Sequence, residues 1–467
     1  MEQYVKEETF STIYERLFRA GAAIGVINGN NTHSGNLSLR DPENRDLFYI
    51  TASGSMCGAL IPQDIVPLSF TDVRWGDGRA STESTIHRRV LSLPGVSAVI
   101  HAHFFNTTTI SFDSKQKELF LRYQGSDDKG REEFVFSPVD YYGNACVGDV
   151  RIGSYLQPVG SAEMEERIPR YLQKDRLTIV RGHGSFVRGA SPEEALHLMC
   201  ALEISAGIAL HLRRRGVVLK PLQDALRHKK ENLPAPFAEV DHSHRDVSDE
   251  TVIEDFRQRL IYNFTHSLSG YGTGSMSQKI SAGTMIYCPM SACPEGFEFP
   301  LFRMSVTADD DDAADLALHK LIYRQTHQNT CMITVSPLAV AEAMAVLAEE
   351  GGEEAVIDAA GTIDYTGERH PVIKPIDAEA IYLNPRVGLT SLSCMHDTSE
   401  DNPILNMLRW YKGCCAVAGF GIVSTGDTTL EQAAHNAASA ERIARFRNDV
   451  YINNRLADGP PVSEFEP

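Results

Sequence analysis

Apolar residues recur at helical spacing near the start of the chain. Phe10, Ile13, Tyr14, Leu17, Phe18 and Ala22 share one face, which predicts an amphipathic helix over 7–27. V-S-A-V-I at 96–100, rich in β-branched residues, reads as a buried strand. L-T-I-V at 177–180 is strand-like too, and G-N-L-S-L-R at 35–40 reads as a strand, with I-T-A-S-G at 50–54 after it. S-P-E-E-A at 191–195 sets a serine N-cap before a proline in the first helical position, and a long helix runs on from there. His197 and His211 read as face residues of that helix. Arg213, Arg214 and Arg215 fall at its end, where positive charge suits the helix dipole. From 217 to 250 the periodicity breaks into K-P-L, N-L-P-A-P-F and H-S-H-R, a linker pattern. Asp241, His242 and His244 within it read as solvated loop residues.

The same order of elements then returns, which predicts a tandem duplication with domains at 1–216 and 251–467. Ile253 to Leu268 repeats the first helix, and G-T-G-S-M-S-Q-K at 272–279 echoes H-S-G-N-L-S-L-R. A-D-L-A-L-H-K-L-I-Y-R at 314–324 echoes T-E-S-T-I-H-R-R-V-L-S and pairs His319 with His87. C-M-I-T-V-S at 331–336 stands where A-V-I-H-A-H should be, once an inserted residue is allowed, and K-G-C-C-A-V-A-G-F-G at 412–421 stands where R-G-H-G lies.

The chemistry gathers in the first copy. Residues i and i+2 of a strand share a face, so His101 and His103 project to one side. His183 ends another strand between two glycines that let the backbone turn sharply. Three imidazoles suit a divalent metal with an open coordination position, and Glu83 is an acid placed to ligate or to move protons. Ser81 and Thr82 open the helix that carries Glu83 and His87. Hydroxyls and N–H groups at a helix N-terminus can form an anion site; the other reading makes Ser81 an N-cap and Gly54 the close of a turn. By the repeat alignment Glu83 becomes Asp315, His101 becomes Thr334, His103 becomes Ser336, His183 becomes Phe420 and Asn36 becomes Ser275. Hydroxyls are poor zinc ligands and phenylalanine is none, so the second copy is expected to be degenerate and metal-free.

S-T-E-S-T-I-H followed by an apolar strand ending in H-A-H, then R-G-H-G-S-F-V-R-G and S-P-E-E-A, resembles the class II aldolase and adducin family, fuculose-phosphate aldolases among them. G-N-L-S-L-R and I-T-A-S-G match two further stretches of it, and the resemblance spans roughly 8–215. It implies an α/β fold: a three-layer α/β/α domain around a central mixed, largely antiparallel sheet, here present twice. It implies one divalent metal per chain on His101, His103 and His183. Zinc leads, with manganese, cobalt and iron accepted by the same donors. It assigns substrate phosphate to Asn36, Ser53, Gly54, Ser81 and Thr82, offers Tyr141 and Tyr142 as a substrate-facing loop, and makes Glu83 the acid–base group.

The implied activity is a metal-dependent lyase, an aldolase cleaving or forming a carbon–carbon bond through a metal-stabilised enediolate. Its substrate is expected to be a phosphorylated ketose or related hydroxy-ketone. A related epimerase, decarboxylase or iron oxygenase, or a non-enzymatic adducin-like module, are the alternatives; the retained histidines and acid speak against the last. Family members form cyclic tetramers with active sites near subunit boundaries, which implies a homo-oligomer, a dimer of tandem chains imitating a tetramer.

Composition narrows the partners. Of the 467 residues, the charged ones leave a net charge of −18, which argues against nucleic acid and anionic membrane surfaces. Nine cysteines without C-x-x-C spacing read as reduced thiols. The first residues lack a basic then apolar leader pattern, so a cytoplasmic enzyme with no membrane span is expected.

Overall fold

The computed structural model describes residues 7–27, 29, 33–71, 79–112, 121–126, 130–229, 247–266, 268–270, 273–289, 301–307, 313–359, 363–365 and 370–456. Asp241, His242 and His244 lie outside them. The expected amphipathic helix is present as Glu7–Val26 and buries Ile13, Leu17, Ala20 and Ile24.

Nine strands form the first sheet: β1 (Asn36–Arg40), β2 (Leu47–Thr51), β3 (Ile65–Ser69), β4 (Ala98–Ala102), β5 (Leu121–Ser126), β6 (Glu132–Phe136), β7 (Val150–Gly153), β8 (Leu177–Val180) and β9 (Gly184–Gly189). Eight form the second: β10 (Ser275–Ser281), β11 (Thr284–Pro289), β12 (Phe302–Ser305), β13 (Thr330–Thr334), β14 (Val372–Ile373), β15 (Val387–Thr390), β16 (Cys414–Val417) and β17 (Gly421–Gly426). The first sheet runs β3-β2-β1-β4-β9-β8-β7-β6-β5 and the second β12-β11-β10-β13-β17-β16-β15-β14. Taken in sequence these are one order, the second lacking only the last strand among the described residues. Both sheets are mixed, with flanking helices, and antiparallel except at β7–β8 and β15–β16. The fold is the expected one, present in both halves.

Burial explains why these runs pair. In the first unit, Phe48, Ile50, Val99, Val180 and Phe186 from the sheet meet Ile86, Val90, Met164, Ile168 and Leu172 from the helices Ser84–Leu91 and Ala162–Leu172. Each such side chain removed from water is worth about 1.5–3 kcal/mol. In the second, Met276, Ile286 and Met332 meet Phe256, Leu430 and Ala433 from helices Glu250–Thr265 and Leu430–Leu456.

The two compact units are Met1–Ser137 with Val147–Ala206, and Pro138–Cys146 with Gly207–Pro467. The division therefore differs from a cut at 216. The expected linker opens with a helix, Leu219–Lys229, whose Leu219, Leu222 and Leu226 are buried; apolar spacing within a proline-bearing stretch hides it. The helix Pro192–Arg214 is long and apolar enough to cross a membrane by length and composition alone, but 83% of its apolar window is buried in the protein. His211 on that helix is buried beside Glu342, 3.4 Å away. Burial alone would raise the Glu342 carboxyl; His211, Arg215 and Arg447 hold it down, at about 2. Arg215 thus has a structural task beyond the helix dipole.

Candidate metal centre

β4 brings His101 to the site, the residue just past its end is His103, and the turn between β8 and β9 brings His183. Their ligand atoms lie within 4.8 Å of one another. His101 and His103 face each other Nε2 to Nε2 at 2.8 Å. The turn is tight because a Cβ on Gly184 would fall 2.5 Å from the Ala102 carbonyl oxygen and 2.7 Å from the His103 ring, so a glycine is needed there.

The donor set fits a divalent metal. The His101 Nδ1 lies 3.0 Å from the Ser185 carbonyl oxygen, to which it donates. That assignment leaves the Nε2 lone pair aimed into the triad, the arrangement second-sphere partners impose on metal-binding histidines. The Phe186 ring stacks on His101 at 4.0 Å and 13° and fixes the imidazole plane. Burial, and then the neighbouring histidines, push His101 and His103 down to about 3; burial lowers His183 too, against the pull of Glu83. All three are therefore neutral, the ligating form.

Glu83 is 4% exposed. Its Oε2 accepts a hydrogen bond from the Asn36 amide at 2.8 Å and lies 3.5 Å from His101 Nε2. Its Oε1 is buried without a partner, an orphaned polar atom where a reacting group or cation would satisfy it. β1 sets this up, since Asn36 pairs directly with His101 across the sheet. Next along β1, Ser38 Oγ meets His87 Nδ1 at 2.7 Å. Burial pushes His87 down to about 3, so it is a neutral prop beneath the site.

The expected anion residues are only partly gathered. An isolated bridge between Ala52 and Ala80 sets Ser53 and Gly54 beside Ser81 and Thr82. Ser53 N–H donates to the Arg79 carbonyl, and Ser81 N–H to that of Thr51, so neither N–H is offered to a ligand. Gly54 has φ 76° and turns the chain, with its carbonyl 2.8 Å from His33 Nδ1. The helix begins at Ser84, later than expected, with Glu83 as its N-cap, and Ser81 Oγ accepts from the Glu83 N–H at 3.3 Å. Asn36 spends its amide on Glu83. Tyr141 and Tyr142 belong to the second compact unit and are buried. Sequence reasoning missed Ser185, Phe186 and His33; the first two were legible only through the pairing of β9 with β4.

The second sheet corrects the repeat alignment by one residue. Asn36 pairs with His101, and its counterpart Ser275 pairs with Ile333; Phe186 pairs with His101, and its counterpart Val423 with Ile333. His101 thus corresponds to Ile333 and His103 to Val335, not to Thr334 and Ser336. No inserted residue is needed, since the strands match end to end. Phe420 does occupy the place of His183, one residue before Gly421. A Cβ on Gly421 would fall 2.6 Å from the Thr334 carbonyl oxygen, repeating the close approach of Gly184 to Ala102.

Residues 15–210 match the family model described as the class II aldolase and adducin N-terminal domain. A methylthioribulose-1-phosphate dehydratase of Leptospira biflexa is 27% identical over 176 residues, covering 35% of this chain and 79% of that protein. One from Gluconacetobacter diazotrophicus is 29% identical over 189 residues, covering 39% and 84%. Among solved structures, the L-fuculose-1-phosphate aldolase of Thermus thermophilus is 25% identical with a TM-score of 0.37, covering 44% of this chain and 95% of that one.

Proposed function

The first half of this chain, residues 15–210, belongs to the class II aldolase and adducin family, and from that premise we propose that it is a metal-dependent lyase acting on a phosphorylated ketose or related hydroxy-ketone. The observation that carries this reading is the meeting of three neutral imidazoles with a buried carboxylate whose Oε1 has no partner. His101, His103 and His183 would hold one divalent metal, zinc being the first expectation, with manganese, cobalt and iron compatible with the same donors. Bound there, the metal would polarise a substrate carbonyl and stabilise the enediolate that bond cleavage produces. Glu83 moves the proton: Oε2 is anchored by Asn36, so Oε1 faces the reacting carbon and carries the proton between substrate hydroxyl and carbon. Ser38 and His87 hold β1 and the Glu83 helix together, so the carboxylate keeps its aim. Ser53, Gly54, Ser81 and Thr82 are the proposed phosphate side of the pocket. We place the enzyme in the cytoplasm, as a homo-oligomer.

Two lyase reactions use this arrangement. In aldol cleavage Glu83 takes the hydroxyl proton, the carbon–carbon bond breaks, and the proton returns to carbon. The dehydratase relatives favour a second reading, in which Glu83 takes a carbon-bound proton and delivers it to the hydroxyl on the adjacent carbon, which leaves as water. Incubating metal-loaded protein with L-fuculose 1-phosphate and with methylthioribulose 1-phosphate separates them. Release of an aldehyde and a triose phosphate supports aldol cleavage; loss of water with the carbon chain intact supports dehydration. Turnover of neither compound, nor of a wider panel of phosphorylated ketoses, by protein that holds its metal would contradict the lyase reading.

A further inference from the structure

In the second half, β13 begins just after Gln328 and Asn329, β16 just after Gly413, and β17 ends just before Asp427. A cavity of about 810 Å³ opens at these strand ends, lined by Arg324, Arg409 and Lys412 together with Gln328, Gln432 and His327. Its volume falls in the range of small-molecule sites, about 300–1,000 Å³. The four residues of β16, about 13 Å of strand, separate it from the degenerate centre at Phe420.

The repeat register shows that these residues are particular to this half. The Thr425 N–H donates to the Gly413 carbonyl as the Arg188 N–H does to that of Arg176. Gly413 therefore stands for Arg176, Lys412 for Asp175 and Arg409 for Leu172. The Gln432 N–H bonds Thr429 Oγ1 as the Glu194 N–H bonds Ser191 Oγ, so Gln432 stands for Glu194. Counting on from His319 and from His87 sets Arg324 against Ser92. Two acids and one base at these positions have become three bases and no acid. In the first half Arg176 pairs with Glu194 at 3.6 Å, and Leu172 is fully buried. The second half has no arm at Gly413, no carboxylate at Gln432, and an exposed arginine in place of the buried leucine.

This positive charge is not spent internally. Arg409 donates to the Gln325 carbonyl at 3.0 Å and Lys412 Nζ to the Leu383 carbonyl at 2.8 Å. Among the described residues neither of them meets a carboxylate. Asp427, the one acid of the lining, accepts a hydrogen bond from Gln328 Nε2 at 2.7 Å. In a chain of net charge −18, bases gathered in a concave site concentrate anions locally, and guanidinium forks match phosphate oxygens. Leu408 is the one apolar side chain of the lining; amides, hydroxyls and imidazoles make up most of the rest. Such walls suit a hydroxylated ligand and offer little to a greasy one.

We infer that the second half binds a phosphorylated sugar or polyol in this cavity. Arg324, Arg409 and Lys412 take the phosphate, and the amides of Gln328 and Gln432 face the hydroxyls. The copy that lost the metal histidines has thus gained a binding site at the other end of its sheet. The inference is independent of the lyase reading.

Equilibrium dialysis of the full chain against glucose 6-phosphate, ribose 5-phosphate and glycerol 3-phosphate tests it, with glucose and inorganic phosphate beside them. His101→Ala chains, whose cavity is intact, should bind at least one of the esters saturably, more tightly than inorganic phosphate and without uptake of glucose. Gln432→Glu in the same chains keeps an acceptor for the Asp427 N–H, now at 2.9 Å, and changes the charge alone. It should weaken uptake at least tenfold. Arg409→Leu/Lys412→Asp, which restores the residues of the first half, should weaken it at least as much, with thermal melts matching the parent as the check on folding. Saturable uptake of none of the esters, or uptake that either variant leaves unchanged, would overturn the site. Uptake by the wild type that His101→Ala abolishes would assign the ester to the metal centre and overturn it too. Equal affinity for inorganic phosphate would overturn the sugar or polyol. Lyase turnover enters none of these readouts.

Discussion

His87 and His319 stand at the same place in the two halves, and what surrounds them differs. Each donates or accepts at Nδ1 with a serine of the central strand, Ser38 at 2.7 Å and Ser277 at 2.6 Å. The next position on the strand is where the halves part. Asn36 turns its amide to Glu83, leaving His87 Nε2 buried without a partner. Ser275 instead reaches His319 Nε2 at 2.9 Å. Asp315, one methylene shorter than Glu83, is taken up by the Tyr287 hydroxyl at 2.5 Å. Where the first half has three imidazoles, the second has Ile333, Val335 and Phe420, all fully buried. Around His319 the polar groups satisfy one another; around His87, Asn36 Oδ1, Glu83 Oε1 and His87 Nε2 are left over. A site that must bind something keeps unsatisfied atoms, and a packed copy does not.

Other devices survive in both. Glu203 accepts the N–H groups of Asn106 and Thr107, each at 2.8 Å, at the start of the helix that follows His103. Glu441 does the same for Leu338 and Ala339 in the second half. Desolvation pushes both carboxyls up to about 7 against those hydrogen bonds. This anchor fixes the backbone beyond β4 and β13 and is indifferent to what the strand carries.

The comparison can be broken deliberately. His183→Phe copies the second half into the first; bound metal should be lost and lyase turnover should drop to background, read by elemental analysis and product assay. Glu83→Gln should keep the metal and lower kcat by about 10²–10⁴-fold, since only proton transfer is removed. Asn36→Ser should also keep the metal, but freeing Oε2 costs a charge-assisted hydrogen bond of about 1.5–3 kcal/mol, a roughly 10- to 100-fold loss in kcat if all of it is felt in the transition state. Phe420→Ala should do the opposite of its counterpart: metal content and kcat of the first half unchanged, but stability lower by about 3–5 kcal/mol in denaturant melts.

The mildest test is pH. Burial holds His87 and His319 down to about 3, against 6.5 when unfolded. Below pH 6.5 the unfolded chain therefore binds protons the native one refuses. Stability should fall as pH drops from 6.5 toward 3, by up to about 1.4 kcal/mol per unit for each histidine. Replacing either by Gln should flatten that slope in acid unfolding curves.

Much of this was readable from the chain. Period-2 placement of His101 and His103 and the glycines around His183 located the triad, because the backbone alone dictates those directions. The order of apolar runs foretold the repeated sheet. The one-residue slip in aligning His101 came from matching letters: V-I-H-A-H and M-I-T-V-S share an isoleucine that the true register does not superpose, and only the pairing of β10 with β13 resolves it. The role of Asn36 depends on a carboxylate 47 positions away, and the seat of Tyr141 on the Gly419 backbone carbonyl, far away in chain order. Local pattern carries no signal for either.

The central claim is one working centre and one emptied copy per chain. Metal content of the purified protein, wild type beside His101→Ala, tests it most directly. The account predicts one equivalent of divalent metal per chain, lost in the variant. Two equivalents in the wild type, or one that survives His101→Ala, would contradict it.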